Sequence, residues 1–404
     1  MKAGWQTKTL GELAEVFADG DWVESKDQST EGVRLIQTGN VGEGVFKDRA
    51  EKARYISEAT FKRLRCTEIF EGDCLISRLP DPVGRSCPLP DTGERMITAV
   101  DCTIVRFNSK QIIPAFFNYY SQSTDYLDAV DAETSGTTRN RISRANLGNI
   151  AVPVPPLPEQ QRIVGILDEA FDGIVTAKAN AEQNLQNARA LFESHLQSVF
   201  TQRGEGWVEK RIEETGSTQT GSTPKTSDKK NFGDFIPFVK PADFNTDGSL
   251  NYENDGLSEQ GFAQARKVAE GSVLMVCIGA TIGKCGWCDR AITTNQQTNA
   301  LTPTEGASYK FIYYQMLTED FQRCVIHGSG QATLPIINKS KWSALTIWLP
   351  PTLDEQEQIV AKLDALREET QRLDSLYQRK LAALAELKKS LLHRAFNGQL
   401  TIDN

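Results

Sequence analysis

Histidine is scarce in this chain: its 404 residues hold only His195, His327 and His393. Two of the three fall in stretches of helical pattern, so a nucleophile, histidine and acid constellation has almost no material to be built from. Long apolar runs are missing as well. No stretch approaches the roughly 18 apolar residues that a membrane span needs. The N-terminal Met1-Lys-Ala-Gly-Trp5 also lacks the apolar core of a signal peptide. A cytoplasmic protein that meets no membrane is the expectation. The eight cysteines, Cys66, Cys74, Cys87, Cys102, Cys277, Cys285, Cys288 and Cys324, are spread unevenly, which fits reduced thiols better than a disulfide framework. Positive charge is in deficit too: 45 Lys and Arg against 53 Asp and Glu leave a net charge of −8. This argues against a surface that binds phosphate everywhere, but it permits one basic face on an acidic remainder.

What the chain does have is an internal repeat, and its length allows two or three domains with cores of their own. Gly4-Trp5 returns as Gly206-Trp207, and Glu71-Gly-Asp-Cys-Leu-Ile76 as Glu270-Gly-Ser-Val-Leu-Met275. Val83-Gly-Arg85 returns as Ile282-Gly-Lys284, and Ser135-Gly136 as Ser329-Gly330. The longest match sets Val154-Pro-Pro-Leu-Pro-Glu-Gln-Gln-Arg-Ile-Val164 against Leu349-Pro-Pro-Thr352 followed by Glu355-Gln-Glu-Gln-Ile-Val360. Order and register hold across all these patches.

Composition changes at each Pro-Pro. Before it come Gly, Thr and short β-prone runs such as Cys74-Leu-Ile-Ser77 and Val273-Leu-Met-Val-Cys-Ile278, bounded by turn residues. After it the pattern is helical. Val164, Leu167, Phe171, Ile174, Ala181, Leu185, Ala188, Phe192 and Val199 fall on alternating three- and four-residue steps, with Lys178 and His195 interrupting. Ile359, Leu363, Leu366, Thr370, Leu373, Tyr377, Leu384, Leu387 and Leu391 do the same, with Lys380 interrupting. That spacing is the seam of a coiled coil. Pro158 suits a first helical turn, and Thr352-Leu-Asp-Glu355 reads as a capping box. Two seams of equal length at equivalent places should pair antiparallel. The expected fold is α+β: two mixed, β-rich domains at 1–155 and 204–350, joined by long helices at 156–203 and 351–404 in a pseudo-twofold repeat.

The Pro-Pro-Leu-Pro-Glu-Gln-Gln-Arg-Ile-Val run at 155–164, its second copy at 350–360 and the closing Ser390-Leu-Leu-His-Arg-Ala-Phe-Asn-Gly-Gln-Leu400 resemble the specificity subunit of type I restriction-modification systems. The likeness covers essentially the whole chain; in the globular regions it is one of scheme only. It implies that 1–155 and 204–350 are target recognition domains, each reading half of a split DNA sequence. It also implies that the helices set the unspecified gap and offer surfaces to two methyltransferase subunits. Such complexes methylate adenine with S-adenosylmethionine, and with motor-nuclease subunits cleave DNA using ATP and Mg2+. Those cofactors are expected in the partner subunits and none in this chain.

The residues agree with a non-catalytic role. No Asn-Pro-Pro-Tyr or Asp-Pro-Pro-Tyr is present to bind a flipped adenine. Gly279-Ala-Thr-Ile-Gly-Lys-Cys285 has one residue too few for a phosphate loop and ends in Cys, so a hairpin turn with Lys284 pointing at DNA is preferred. Cys285-Gly-Trp-Cys288 lacks two zinc ligands unless Cys277, Cys324 or His327 supplies them, and cysteines packed in strands are the simpler reading. For DNA contact, Arg and Lys suit guanine or phosphate, and Asn and Gln suit adenine. The candidates are Ser77, Arg78, Arg85, Thr138, Arg139, Asn140 and Arg141 in the first domain. In the second they are Lys240, Lys284, Asn295, Gln296, Gln297 and Gln331. An Arg-rich set and an amide-rich set should prefer different bases and give an asymmetric target. Two other readings remain open: a coiled-coil adaptor with two protein-binding domains, which leaves the duplicated Arg/Lys loops unexplained, and an enzyme built on the Gly-rich loop or the Cys pair.

Overall fold

The computed structural model describes residues 4–136, 140–330 and 334–400. Two compact units emerge, Met1–Glu182 with Gln378–Asn404, and Gln183–Tyr377. This division cuts both long helices near their middles, so each unit is a β-rich domain plus half of each helix.

In the first unit Ala14–Asp19, Cys102–Phe107, Cys74–Ser77 and Ser86–Pro88 form an antiparallel sheet in that order. Cys74–Ser77 is buried at every position, which is why it reads as a continuous run and not as an alternation. A second sheet centres on Val33–Ile36, antiparallel to Tyr55–Ile56 and parallel to Met96–Thr98. Gln6–Thr9 pairs with Ala151–Val154, so the first strand lies beside the one that leads into the first long helix.

The second unit repeats the plan. Gly216–Thr220, Thr298–Pro303, Ser272–Val276 and Cys285–Cys288 form the first sheet in the same order. In the other sheet Phe232–Val239 lies antiparallel to Gly256–Leu257 and parallel to Ile292–Thr294. Val208–Arg211 pairs with Thr346–Leu349. The copies part company at one edge. The fourth strand of the mixed sheet is Gln28–Ser29 beside Tyr55–Ile56 in the first unit, but Lys267–Val268 beside Ile292–Thr294, on the opposite edge, in the second.

The long helices run unbroken over Leu157–Gln202 and Leu353–Phe396, 46 and 44 residues. Pro158 sits in a first turn, where its missing N–H has no helical partner to lose. Thr352 caps the second helix by accepting from the Glu355 N–H at 3.3 Å. The Glu355 carboxylate, expected to complete a capping box, instead accepts from the Trp207 indole at 3.0 Å, which gives the repeated Gly-Trp one of its uses.

Behind each Pro-Pro a buried glutamine ties helix to domain. Gln160 accepts from the Ile113 N–H at 2.8 Å and donates to the carbonyls of Gln111 (3.0 Å) and Pro155 (2.8 Å). Gln356 accepts from the Ser308 N–H at 2.8 Å and donates to the Gly306 carbonyl at 3.0 Å. Both side chains are closed off from water, where a primary amide's donors and acceptor must all be met by protein.

The cores join helix to domain in the same way twice. Phe396 packs at 5.2 Å from both Phe116 and Tyr120, in a cluster that also holds Ile163, Leu167 and Leu392. In the second unit Phe200 packs at 5.2 Å from Phe311, with Leu196, Val360 and Leu363 in its cluster. Within each unit the helices run antiparallel. Arg189 meets Asp374 while Phe192 meets Arg367; Arg162 donates to the Leu400 carbonyl while Phe171 meets Lys388.

Every expected seam residue but Leu387 is buried or half-buried: Val164, Leu167, Phe171, Ile174, Ala181, Leu185, Ala188, Phe192 and Val199, and Ile359, Leu363, Leu366, Thr370, Leu373, Tyr377, Leu384 and Leu391. The detail needs correcting. Besides expected positions such as Leu167, Ala181, Ala188, Leu363 and Thr370, the buried set includes Ile163, Leu196, Val360 and Leu392, each one residue off the expected spacing, and Lys178, His195 and Lys380 lie exposed beside the seam without interrupting it. Leu387 is exposed, and Lys388 takes the inner place. A helix of 3.6 residues per turn drifts against a strict 3.5 spacing, so the inner face moves by a residue along its length.

Candidate nucleic-acid interface

Four segments meet at one end of the main sheet in each unit, held by matching backbone hydrogen bonds. In the first, Gly20 N–H donates to Cys102 O (2.9 Å), Asp21 to Thr98 O (2.7 Å), Arg78 to Asp101 O (2.9 Å) and Ile142 to Arg78 O (3.3 Å). In the second, Gly221 donates to Thr298 O (2.9 Å), Ser222 to Thr294 O (2.9 Å), Cys277 to Gln297 O (2.7 Å) and Ile337 to Cys277 O (3.0 Å). The pairing defines equivalences: Arg78 with Cys277, Asp101 with Gln297, Arg141 with Ile336. It also explains two glycines that the sequence reading passed over. A Cβ on Gly20 would lie 2.3 Å from the Ala99 carbonyl oxygen, and one on Gly221 2.2 Å from that of Asn295; no side chain fits there. Their matching places in the repeat were the available signal.

The arginines of the first unit divide into inner and outer. Arg85 is buried, and its guanidinium donates to the carbonyls of Val41 (2.8 Å), Leu79 (2.6 Å), Pro82 (3.0 Å) and Thr38 (2.9 Å). It pins two loops together, its donors turned to carbonyls of the chain itself. Ser77 is fully buried and donates to the Leu79 carbonyl at 3.0 Å. Arg78 is 4% exposed, donates to the Val100 carbonyl and lies 3.2 Å from Asp19. Burial pushes the pKa values of Arg78 and Arg85 down from the usual guanidinium value. The expectation of turn-borne groups offered to solvent therefore does not describe Ser77, Arg78 or Arg85. Asn140 and Arg141 are exposed, with Arg141 paired to Asp101 at 2.9 Å. Thr138 and Arg139 lie outside the described residues. Sequence reading missed Arg144, exposed and 3.8 Å from Asp19, and the acids Asp19 and Asp101, which balance this group.

In the second unit Lys240 is paired to Asp255 at 2.7 Å and sits 5.5 Å from the Phe238 ring centroid. Lys284 is half-buried, with no ion pair among the described residues. It occupies the place of Arg85 in the repeat, yet the two differ in role, so the likeness between them does not argue for a shared contact. Asn295 and Gln297 bond to each other, and Gln296 is exposed. Gln331 lies outside the described residues. Arg-rich and amide-rich junctions thus stand at equivalent places, with acids accompanying only the arginines.

The Gly279–Lys284 stretch joins two paired strands, Ser272–Val276 and Cys285–Cys288. A phosphate loop needs a helix after it, so the turn has the wrong setting as well as the wrong spacing. Cys285 and Cys288 are buried in that second strand, their thiols donating to the carbonyls of Gly283 (3.2 Å) and Ala269 (3.1 Å). Burial raises both thiol pKa values, Cys288 to about 11. Among the described residues no group of three or more His, Cys, Asp or Glu side chains is placed to hold a metal, and no helix is long and apolar enough to cross a membrane.

Comparison with known proteins bears on this duplicated junction. The family model for the type I restriction modification DNA specificity domain matches residues 2–186 and again 204–378. The chain is 28% identical over 199 residues to the specificity subunit of the type I restriction enzyme HindI from Haemophilus influenzae, a match spanning 48% of this chain and 42% of that relative. It is 20% identical to the putative type I restriction enzyme MjaX specificity subunit of Methanocaldococcus jannaschii, over 98% of this chain and 94% of the other. A chain solved in work on complex assembly and conformational transition of the type I R-M system superposes with a TM-score of 0.78 at 20% identity, over 99% of both chains. That superposition establishes the shared fold.

Proposed function

The chain belongs to the type I restriction modification DNA specificity family, and we propose that it is the sequence-reading subunit of such a complex, each unit reading one half of a split, asymmetric double-stranded DNA target. The observation that carries this is the repeated loop junction: one backbone scaffold, built twice, with arginines on one copy and amides on the other. A scaffold held constant while its outward side chains change is what reading two different half-sites requires.

In this reading two methyltransferase subunits, and restriction motor-nuclease subunits with them, dock on the chain. The exposed apolar side chains Val175, Leu191, Leu376 and Leu387 on the long helices supply contact area for such partners. S-adenosylmethionine, ATP and Mg2+ belong to those partners, and the chain by itself turns nothing over. The long helices set the unspecified gap. Inserting four residues, about one turn, at matching points in both should lengthen the gap while each half-site keeps its bases.

The test is selection from a pool of random duplexes by the full-length chain, alone and as purified with its accompanying subunits. A split sequence should emerge, with affinity falling steeply as salt rises. Binding that selects no sequence, or no binding at any salt, overturns the reading and leaves the coiled-coil adaptor. Methylation or ATP hydrolysis by the chain free of other subunits would overturn its non-catalytic part.

A further inference from the structure

We propose that Gln296, together with Leu334 and Ile336 on the adjoining loop, reads an A·T pair in the half-site of the second unit, an assignment that rests on the DNA-reading role proposed above. Three consecutive residues, 295–297, bring amides to the junction, and two of these amides are already engaged. Asn295 donates through Nδ2 to Gln297 Oε1 at 2.9 Å and accepts from the Gln297 N–H at 3.1 Å. Gln297 Nε2 donates to the Ile278 carbonyl at 3.4 Å. These bonds fix the turn and leave little of either amide for a ligand. Gln296 differs: its side chain is exposed, its Oε1 accepts from the Thr223 hydroxyl, and its Nε2 has no partner among the described residues. An amide steadied by one hydroxyl on its oxygen keeps both N–H donors and one lone pair. A donor beside an acceptor is the pattern that matches N7 and N6 of adenine in the major groove.

The apolar neighbours point the same way. Leu334 and Ile336 are 53% and 45% exposed. They belong to the segment that pairs with the Gly-rich turn: Ile336 bridges Ile278, and Gly279 N–H donates to the Pro335 carbonyl at 3.0 Å. A Cβ placed on Gly279 would lie 3.6 Å from Gln297 Nε2 and 4.0 Å from Leu334 Cδ1, so the aliphatic and amide loops are side by side. Branched aliphatic side chains at a base edge meet the thymine methyl, the one apolar group in the major groove. In the first unit the place of Ile336 is taken by Arg141, paired to Asp101 at 2.9 Å. One junction thus carries a cation and the other carries methyl groups.

The experiment uses base analogues with the full-length chain and its accompanying subunits, after the target has been selected. Replacing the adenine by 7-deazaadenine should weaken binding of the unaltered protein, and Gln296→Ala should abolish the sensitivity. Replacing its thymine by uracil should weaken binding in a way that Leu334→Ala with Ile336→Ala abolishes. Discrimination for that pair should fall by about 5- to 150-fold in Gln296→Ala, the worth of one bidentate contact, with the other half-site and the thermal midpoint unchanged. If a split target is selected but its second half holds no A·T pair, or the pair tolerates both analogues, or Gln296→Ala keeps the preference, this assignment is overturned and the DNA-reading role stands. If no sequence is selected, both fall.

Discussion

Gln160 and Gln356 do the same thing in the two units, whereas Phe171 and Arg367, which stand at equally matched places one turn after Asp168 and Asp364, do opposite things. Each glutamine ties its helix to the backbone of its own domain. Tyr119 donates to Asp168 and Tyr314 to Asp364, a second feature kept in both. Then the chemistry exchanges sides. In the first unit the aromatic ring is on the first helix, Phe171, and the cation on the second, Lys388, 5.2 Å from the ring centroid. In the second unit the ring on the first helix is Phe192 and the cation on the second is Arg367, 4.6 Å away, but each now occupies the other's place in the repeat. Backbone-satisfying groups permit few substitutes because their geometry is fixed by what they bond. A cation over a ring requires only that one partner of each kind be present.

The largest effects should come from the apolar anchors. Phe396→Ala and Phe200→Ala each remove a buried ring from an aromatic cluster, at about 3–5 kcal/mol. Hydrogen exchange should show protection lost mainly in the unit that holds the missing ring; equal loss across both units would mean that the compact units do not behave separately. Smaller effects are expected at the glutamines. Gln160→Ala leaves the partly buried Ile113 N–H unpaired, a cost of about 1–3 kcal/mol in urea unfolding. Gln160→Glu should be worse, because a carboxylate cannot donate to the Gln111 and Pro155 carbonyls and would be buried without a cation. Gln356→Ala and Gln356→Glu should follow the same order. If Glu is tolerated at either site, the amide's donor side is not what matters there.

Much of this architecture could be read from the sequence because it depends on local pattern. The Pro-Pro breaks, the helical spacing and the repeat each appear within a few residues, and all of them are present in the fold. What could not be read depends on distant partners. Arg85 sits in a turn, as an exposed arginine would, and only the arrival of the Thr38 and Val41 carbonyls from another part of the chain makes it an inner residue. Gln160 was legible as part of the Glu-Gln signature, but its task is set by Gln111 and Ile113, which no periodicity connects to it. The opposite-edge strands Gln28–Ser29 and Lys267–Val268 are two residues each, too short to carry an alternation. At the candidate site the sequence picked loops that the fold brings to the two junctions, Arg78 and Arg141 in one and residues 295–297 in the other, since turn residues mark them. It could not choose between Gln296 and Gln297, whose difference lies in one hydrogen bond to the Ile278 carbonyl.

The exchanged cation and ring offer the finest test of how far the units are interchangeable. Arg367 is the better held of the two cations: besides Phe192 it lies 5.3 and 4.8 Å from the Tyr313 and Tyr314 rings and donates to the Asp247 carbonyl at 2.7 Å. Lys388 has one ring and a bond to Gln122 Oε1 at 2.9 Å, and burial lowers its pKa. Removing Arg367 should therefore cost more than removing Lys388, and Arg367→Lys should not be neutral, because an ammonium cannot stack on several rings while donating in a fork. Phe171→Arg alone brings two cations together at a half-buried place, and Lys388→Phe alone removes the cation. The two together rebuild in the first unit the arrangement found in the second, with the new guanidinium meeting Tyr119 as Arg367 meets Tyr314. In a double-mutant cycle the pair should be more stable than the sum of the single changes by about 0.5–2 kcal/mol. A coupling of zero would show that the two pairs are not equivalent, and that the exchange between units reflects different packing around them instead of one interaction written in two orders.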